Sequence, residues 1–155
     1  MLDRLEEALN DCSEATRLRE SYTWAKNERI AVLIALKRLT EARQEAQEVM
    51  KTDAKSGAAV RNFADTYYLA GEIVTGRKIL SEAIDSKRFE GVELSILYFA
   101  RAFAEFRAKG DLDAVIRDYT TFLDMSPGNA PAIRNRSLVY RAKREYDLAL
   151  RDHLA

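Results

Sequence analysis

The chain has 155 residues, of which 47% are hydrophobic and 32% are charged, which suits one soluble globular domain and excludes a disordered chain. Its 25 basic and 25 acidic side chains cancel, so it lacks the basic excess typical of proteins that bind nucleic acid. No segment approaches the roughly 18 consecutive apolar residues that a membrane helix needs. We therefore expect an all-α protein that binds neither nucleic acid nor a membrane.

Apolar residues recur at spacings of three and four along the whole chain, which predicts helices rather than strands. About nine helices are expected, at approximately 2–20, 23–37, 40–52, 58–74, 77–88, 91–108, 111–124, 129–143 and 145–155. Short connections between helices of this length make neighbouring helices antiparallel. The predicted architecture is therefore a series of helix pairs.

The expected helix ends coincide with residues that favour turns. Gly76 and Gly110 are placed where a helix ends and the chain reverses, and Asp111 is a candidate N-cap for the next helix. The segment SPGN at 126–129 combines a proline without an amide proton and a glycine that tolerates positive φ.

The helix pairs repeat. Ala8 is followed by Ala42 and Val115 by Ala149, in both cases 34 residues later and in matching apolar patterns. From Ala42 to Val115 there are 73 residues, five more than two periods, and we place the insertion in the loop-like segment 51–57. The segment 59–89 fits no register of the pattern, so we consider that unit degenerate.

The segment IRNRSLVYRAKREYDLALRD at 133–152 resembles the tetratricopeptide repeat family, whose units are helix pairs with a period of 34. Ser137 and Ala149 match its small residues and Tyr140 its aromatic residue, while Phe103 falls on the small-residue place of the preceding unit. The resemblance is clearest over 96–155. It implies an α-solenoid that forms a right-handed superhelix.

The expected organisation is one repeat domain covering 1–155. It consists of an extra N-terminal helix at 1–22 and four helix pairs, at 23–52, 58–88, 91–124 and 129–155.

In this family the first helix of each pair lines a concave groove that receives a peptide or a partner helix. Carried over, the resemblance places Arg134, Leu138 and Arg141 on the groove face of one helix, because spacings of four and three keep them on one side. The corresponding helix offers Arg107 between small alanines, Ala100 and Ala104, with Arg101 beside them. Residues 130–155 contain six basic and three acidic residues, so an acidic segment is the expected ligand. The alternative is that these arginines only form a solvated helix face.

Catalytic and metal-binding patterns are absent from the sequence. The single histidine, His153, and the single cysteine, Cys12, both occupy helix-packing places and cannot form the common zinc motifs. We therefore expect no enzymatic activity, no catalytic residues, no metal and no cofactor.

The most favoured function is that of an adaptor or scaffold that binds a protein segment in its groove. An alternative is a structural or regulatory module of a larger protein that self-associates, with the open C-terminal end as the contact between copies. One cysteine, which can form no internal disulfide, favours the cytoplasm.

Overall fold

The computed structural model describes residues 2–19 and 22–154, without the side chain of Leu2. The predicted all-α class is confirmed, because the described residues form nine helices and no strand. The helices are α1 (Leu2–Leu18), α2 (Thr23–Ala35), α3 (Leu39–Thr52), α4 (Gly57–Leu69), α5 (Ile73–Asp85), α6 (Gly91–Arg107), α7 (Leu112–Met125), α8 (Ala130–Ala142) and α9 (Tyr146–Leu154). The ends predicted at 20 and 155 lie outside the described residues.

The chain divides into two compact units, Met1–Ile79 and Leu80–Ala155, and each is described by itself. The expectation of one domain over 1–155 and its division into helix pairs stays a prediction.

Three helices begin at a side chain that caps the helix. Ser56, Asp111 and Asn129 each accept a hydrogen bond from a backbone amide of the first turn, in α4, α7 and α8 respectively. Each cap satisfies an amide that has no partner inside its own helix. The N-cap predicted at Asp111 is therefore confirmed.

The first helix of every pair ends in the same left-handed turn. The turn residues, all with positive φ, are Lys37, Gly71, Lys109 and Arg144. Each donates its amide to the carbonyl three residues before it, and the next residue donates to the carbonyl five residues before itself, as in Arg38 to Leu33 at 2.9 Å. This pattern of two hydrogen bonds is the Schellman motif, which satisfies the last carbonyls of a helix. The four turns therefore mark the repeat better than any residue type does.

The spacing of these turns corrects the position of the inserted residues. The turn residues are 34, 38 and 35 residues apart, so the largest excess lies between Gly71 and Lys109 and not in the segment 51–57. Helix α6 has 17 residues, whereas α2, α4 and α8 have 13 each. The additional residues therefore lengthen a helix by about one turn.

Gly76 does not end a helix. Helix α4 ends at Leu69, and Gly76 lies within α5. A Cβ atom at this position would lie 2.7 Å from the Tyr68 ring, so the missing side chain is what allows the two helices to approach. The prediction of a break at Gly76 was wrong because close packing and a turn both call for glycine.

In the first unit, helices α1 to α4 enclose one apolar cluster. Leu9 of α1, Ile30 and Leu33 of α2 and Ala59 of α4 are buried in it, together with the alanines and valine of α3. A polar link also joins α2 to α4, where buried Asn62 donates to the Asn27 carbonyl at 3.0 Å.

In the second unit, α8 packs on the pair α6–α7. The buried cluster contains Ala102 of α6, Val115, Tyr119 and Phe122 of α7, and Ala132 and Val139 of α8. Ala102 occupies the small-residue place, whereas Phe103 is 41% exposed and stacks on Phe99. The sequence-based register of α6 was therefore one residue out.

Candidate partner-binding surface

Five exposed side chains of the second unit form the candidate site, which we call the arginine face. They are Phe103 and Arg107 on α6, and Arg134, Leu138 and Arg141 on α8. Leu138 is 41% exposed, the same value as Phe103, and the Arg107 guanidinium lies 5.6 Å from the centre of the Phe103 ring. Four of the five predicted site residues are thus at the surface, and Phe103 was missed because it was assigned to packing.

The predicted alanines do not leave the open space that we expected. Ala100 and Ala104 are both buried, with exposed fractions of 5% and 7%. The exposed part of α6 is formed instead by Phe103 and Arg107, which are four residues apart and therefore on one side of the helix.

Arg101 is engaged inside the chain. Its Nε and Nη2 donate to the two carboxylate oxygens of Asp118 on α7, at 2.7 and 2.8 Å, and its Nη1 donates to Ser81 Oγ at 3.0 Å. These bonds use all three nitrogens and hold the pKa of Arg101 above its usual range. Arg101 therefore ties α6 to α7 and offers no unused nitrogen to a ligand.

The same arrangement recurs in the last pair. Arg136 of α8 donates from Nε and Nη2 to Asp152 of α9, at 2.8 and 2.6 Å, and from Nη1 to Thr120 Oγ1 at 3.1 Å. We call each of these an arginine brace: a half-buried arginine of the first helix, bidentate to an aspartate of the second helix, with a hydroxyl on the third nitrogen. Bidentate pairs of this kind fix geometry as well as adding energy.

The braces define the direction of the arginine face. Phe103 follows the brace residue Arg101 by two positions, and Leu138 follows Arg136 by two. Phe103 and Leu138 thus occupy equivalent places on α6 and α8, which contact each other, and both project from the same side.

In the first unit the corresponding brace is incomplete. Arg29 of α2 approaches Glu45 of α3, sixteen residues later, with Nη2 2.9 Å from Oε1, but its buried Nε has no hydrogen-bond partner among the described residues. Burial is the main cause that raises the pKa of Glu45.

The charge of the arginine face is not neutralised by its own chain. Arg107, Arg134 and Arg141 form no ion pair within residues 2–19 and 22–154. In contrast, Lys143 contacts Asp113 at 2.6 Å and Glu145 at 2.7 Å, and the bond to Asp113 is the first cause that holds its pKa above the usual range. Three unpaired guanidinium groups thus flank two exposed apolar side chains.

A second feature lies at the outer end of the last pair, which we call the end cavity. It has a volume of about 320 Å³ and is lined by Ser137, Arg141, Tyr146, Ala149, Leu150 and His153. Tyr146 is 64% exposed and Leu150 is 56% exposed. The repeat pattern indicated this open end, but not which polar residues line it.

No cluster of three potential metal ligands occurs in the described part of the chain. None of its helices has the length and apolar character required to cross a membrane.

Comparison with models of protein families gives no match, and comparison with curated proteins gives none either. Several solved structures are similar. TTC0263, a thermophilic TPR protein of Thermus thermophilus, superposes with a TM-score of 0.78 at 13% identity, over 99% of this chain and 81% of that one. A tetratricopeptide repeat protein from Parabacteroides merdae gives 0.76 at 22% identity, over 97% of this chain and 57% of that one.

YrrB, described as a TPR protein with an unusual peptide-binding site, gives a TM-score of 0.60 at 19% identity, over 97% of this chain and 75% of that one. At these identities the likeness establishes the fold, and the resemblance predicted from the repeat is confirmed at that level.

Proposed function

We propose that this chain, which has the fold of the tetratricopeptide repeat proteins, is a non-enzymatic adaptor whose arginine face binds an acidic segment of another protein. The observation that carries the proposal is the set of three exposed arginines without an intrachain carboxylate partner, placed around Phe103 and Leu138. The fold supports an interaction module in general, and YrrB is a neighbour described as having a peptide-binding site.

The chemistry of the arginine face favours a particular kind of segment. Guanidinium groups bind carboxylates through two parallel hydrogen bonds, and they hold less water than an ammonium group does. Exposed Phe103 and Leu138 add apolar area that one apolar side chain of the ligand can cover. The preferred ligand is therefore an extended or helical segment with carboxylates on both sides of a leucine or aromatic residue.

The test uses fluorescence anisotropy of a short labelled peptide with glutamates flanking a leucine, and of a matched peptide with glutamine at the glutamate positions. The glutamate peptide is expected to bind at least about tenfold tighter, which corresponds to about 1.4 kcal/mol. The Arg107→Ala/Arg134→Ala/Arg141→Ala variant should lose that preference.

A charge-matched control changes three arginines away from the face, Arg4→Ala/Arg117→Ala/Arg151→Ala. If both variants weaken binding equally, the effect is one of net charge and the arginine face is not the site. Equal binding of the glutamine peptide would also exclude recognition of an acidic segment.

Self-association is a second candidate, favoured by the exposed Tyr146 and Leu150 at the end cavity. Sedimentation equilibrium distinguishes the two. An adaptor remains near the monomer mass of 17.6 kDa, whereas self-association through the last pair gives a multiple of it. For both candidates we place the chain in a reducing compartment such as the cytoplasm, because its one cysteine can form no internal disulfide.

A further inference from the structure

The end cavity is the counterpart of a core that is filled one repeat earlier. Each of its six lining residues has an equivalent in the buried cluster of α6, α7 and α8, 35 residues earlier for the first helix and 34 for the second. The pairs are Ser137 with Ala102, Arg141 with Phe106, Tyr146 with Leu112, Ala149 with Val115, Leu150 with Ile116, and His153 with Tyr119. All six equivalents pack in that cluster.

The filled version identifies what kind of element fits the cavity. Helix α8 covers the face of α6 and α7 and contributes Ala132 and Val139 to the cluster, both completely buried. These residues are seven apart, so they lie two turns apart on one side of the helix. An occupant of the end cavity thus needs a helix with a small and a branched apolar residue at this spacing.

The differences between the two versions identify the charge of the occupant. Phe106 and Tyr119 are replaced by Arg141 and His153, so the cavity is basic where the core is aromatic. In the core, the side chain of Asn135 on α8 faces the Tyr119 hydroxyl. At the equivalent place an occupant meets His153, and a carboxylate there also comes within the charge field of Arg141.

We propose that the end cavity binds an amphipathic helix of a partner protein that carries a carboxylate at the position equivalent to Asn135. Charge complementarity argues against α8 of a second copy, because α8 brings Arg134, Arg136 and Arg141 towards a basic cavity. The end cavity shares only Arg141 with the arginine face, so this inference does not depend on the proposed function.

The probe is a labelled synthetic peptide with the sequence of residues 129–143, acetylated and amidated at its ends. One version carries Asn135→Glu and the other Asn135→Lys, so the two differ only in the charge that faces His153. In anisotropy titrations the glutamate version is expected to bind about three- to tenfold tighter, as one charge-assisted contact gives about 1 kcal/mol. Equal binding, or no binding of either version, would overturn the proposal.

The variants separate the cavity from its surroundings. Leu150→Asp should abolish binding of the glutamate peptide, whereas Leu148→Asp, on the same helix but outside the cavity, should not. Circular dichroism melts confirm that both variants fold. If the two variants behave alike, the cavity is not the site.

Two further measurements test the occupant and the independence of the site. Sedimentation of the chain without peptide should show a monomer, and a dimer that Leu150→Asp but not Leu148→Asp disrupts would assign the cavity to a second copy and refute the proposal. The Arg107→Ala/Arg134→Ala variant should bind the helical peptide normally while it loses the extended acidic peptide. Loss of both ligands in that variant would show that there is no separate site at the end cavity.

Discussion

Asp65 differs from the other buried carboxylates because no ion pair compensates its burial. Asp118 and Asp152 each receive two hydrogen bonds from an arginine, whereas Arg61, the cation nearest to Asp65 along α4, donates to Asn62 Oδ1 instead. Burial raises the pKa of Asp65 to about 6, and the charge of Arg61 only partly opposes the shift. The ionised form is therefore disfavoured in the folded state at neutral pH.

The sign of this shift predicts the effect of Asp65→Asn. A carboxyl with a raised folded pKa favours folding while it is protonated, and this contribution is lost as the pH rises from about 4 through about 6. The variant should thus be more stable than the parent by about 1–3 kcal/mol at pH 7.5, and should gain nothing near pH 4. Urea unfolding at both pH values measures this, with Asp11→Asn at an exposed site as the control. A gain that is equal at both pH values would mean that the carboxyl charge is not the cause.

Single residues also limit what the sequence could predict. The period, the helices and the exposed places of Arg107, Arg134, Leu138 and Arg141 followed from apolar spacing and family resemblance. The one-residue choice between Ala102 and Phe103 did not, because both fit a spacing of three to four and only the packing of α6 on α7 decides which is buried. The hydrogen bonds of Arg101 were missed for the same reason: Asp118 lies on another helix and its distance is not encoded locally.

At the level of helix pairs, the arginine brace joins the first helix to the second. Two pairs have it complete, with aspartate as acceptor, and the pair α2–α3 has glutamate instead. The extra methylene group of Glu45 coincides with a single contact and an unsatisfied Nε on Arg29. A shorter acceptor would restore the geometry found in α8–α9, where the arginine and the aspartate are also sixteen residues apart.

Glu45→Asp is therefore expected to stabilise the chain. Completion of the bidentate contact adds a charge-assisted hydrogen bond of about 1.5–3 kcal/mol. The lower helix propensity of aspartate removes about 0.5 kcal/mol, so we expect a net gain of about 1–2 kcal/mol in the free energy of unfolding. The reverse exchange, Asp152→Glu, should destabilise by a similar amount, and both are measured by urea unfolding at pH 7.5. If Glu45→Asp instead lowers stability, the two sites are not equivalent.

For the whole molecule, the repeat makes the stability of a helix depend on how many neighbours cover it. Helix α7 packs against both α6 and α8, whereas α9 packs against α8 and carries the exposed Tyr146, Leu150 and Leu154. The last helix therefore has the smaller share of buried area in the second unit. The repeat in the sequence predicted this open end, while the shape and charge of the end cavity required the placed side chains.

Hydrogen exchange measured by mass spectrometry should reveal this gradient. We expect amides of 146–154 to exchange faster than those of 112–125, because local opening of α9 exposes less apolar surface. Addition of the Asn135→Glu peptide should slow exchange in 146–154 specifically. Equal protection of the two segments would contradict the dependence on neighbouring helices.

The left-handed turns have a consequence for how this sequence tolerates change. At three of the four, a lysine or arginine occupies a backbone conformation that costs a residue with a Cβ atom about 1 kcal/mol, and only Gly71 avoids that cost. The turns are at least 34 residues apart along the chain, so relief at each would add to the others. The sequence is thus some distance from the most stable one its own backbone allows. Glycine at Lys37, Lys109 and Arg144 would leave room for destabilising substitutions elsewhere, including those by which a binding surface acquires a new specificity.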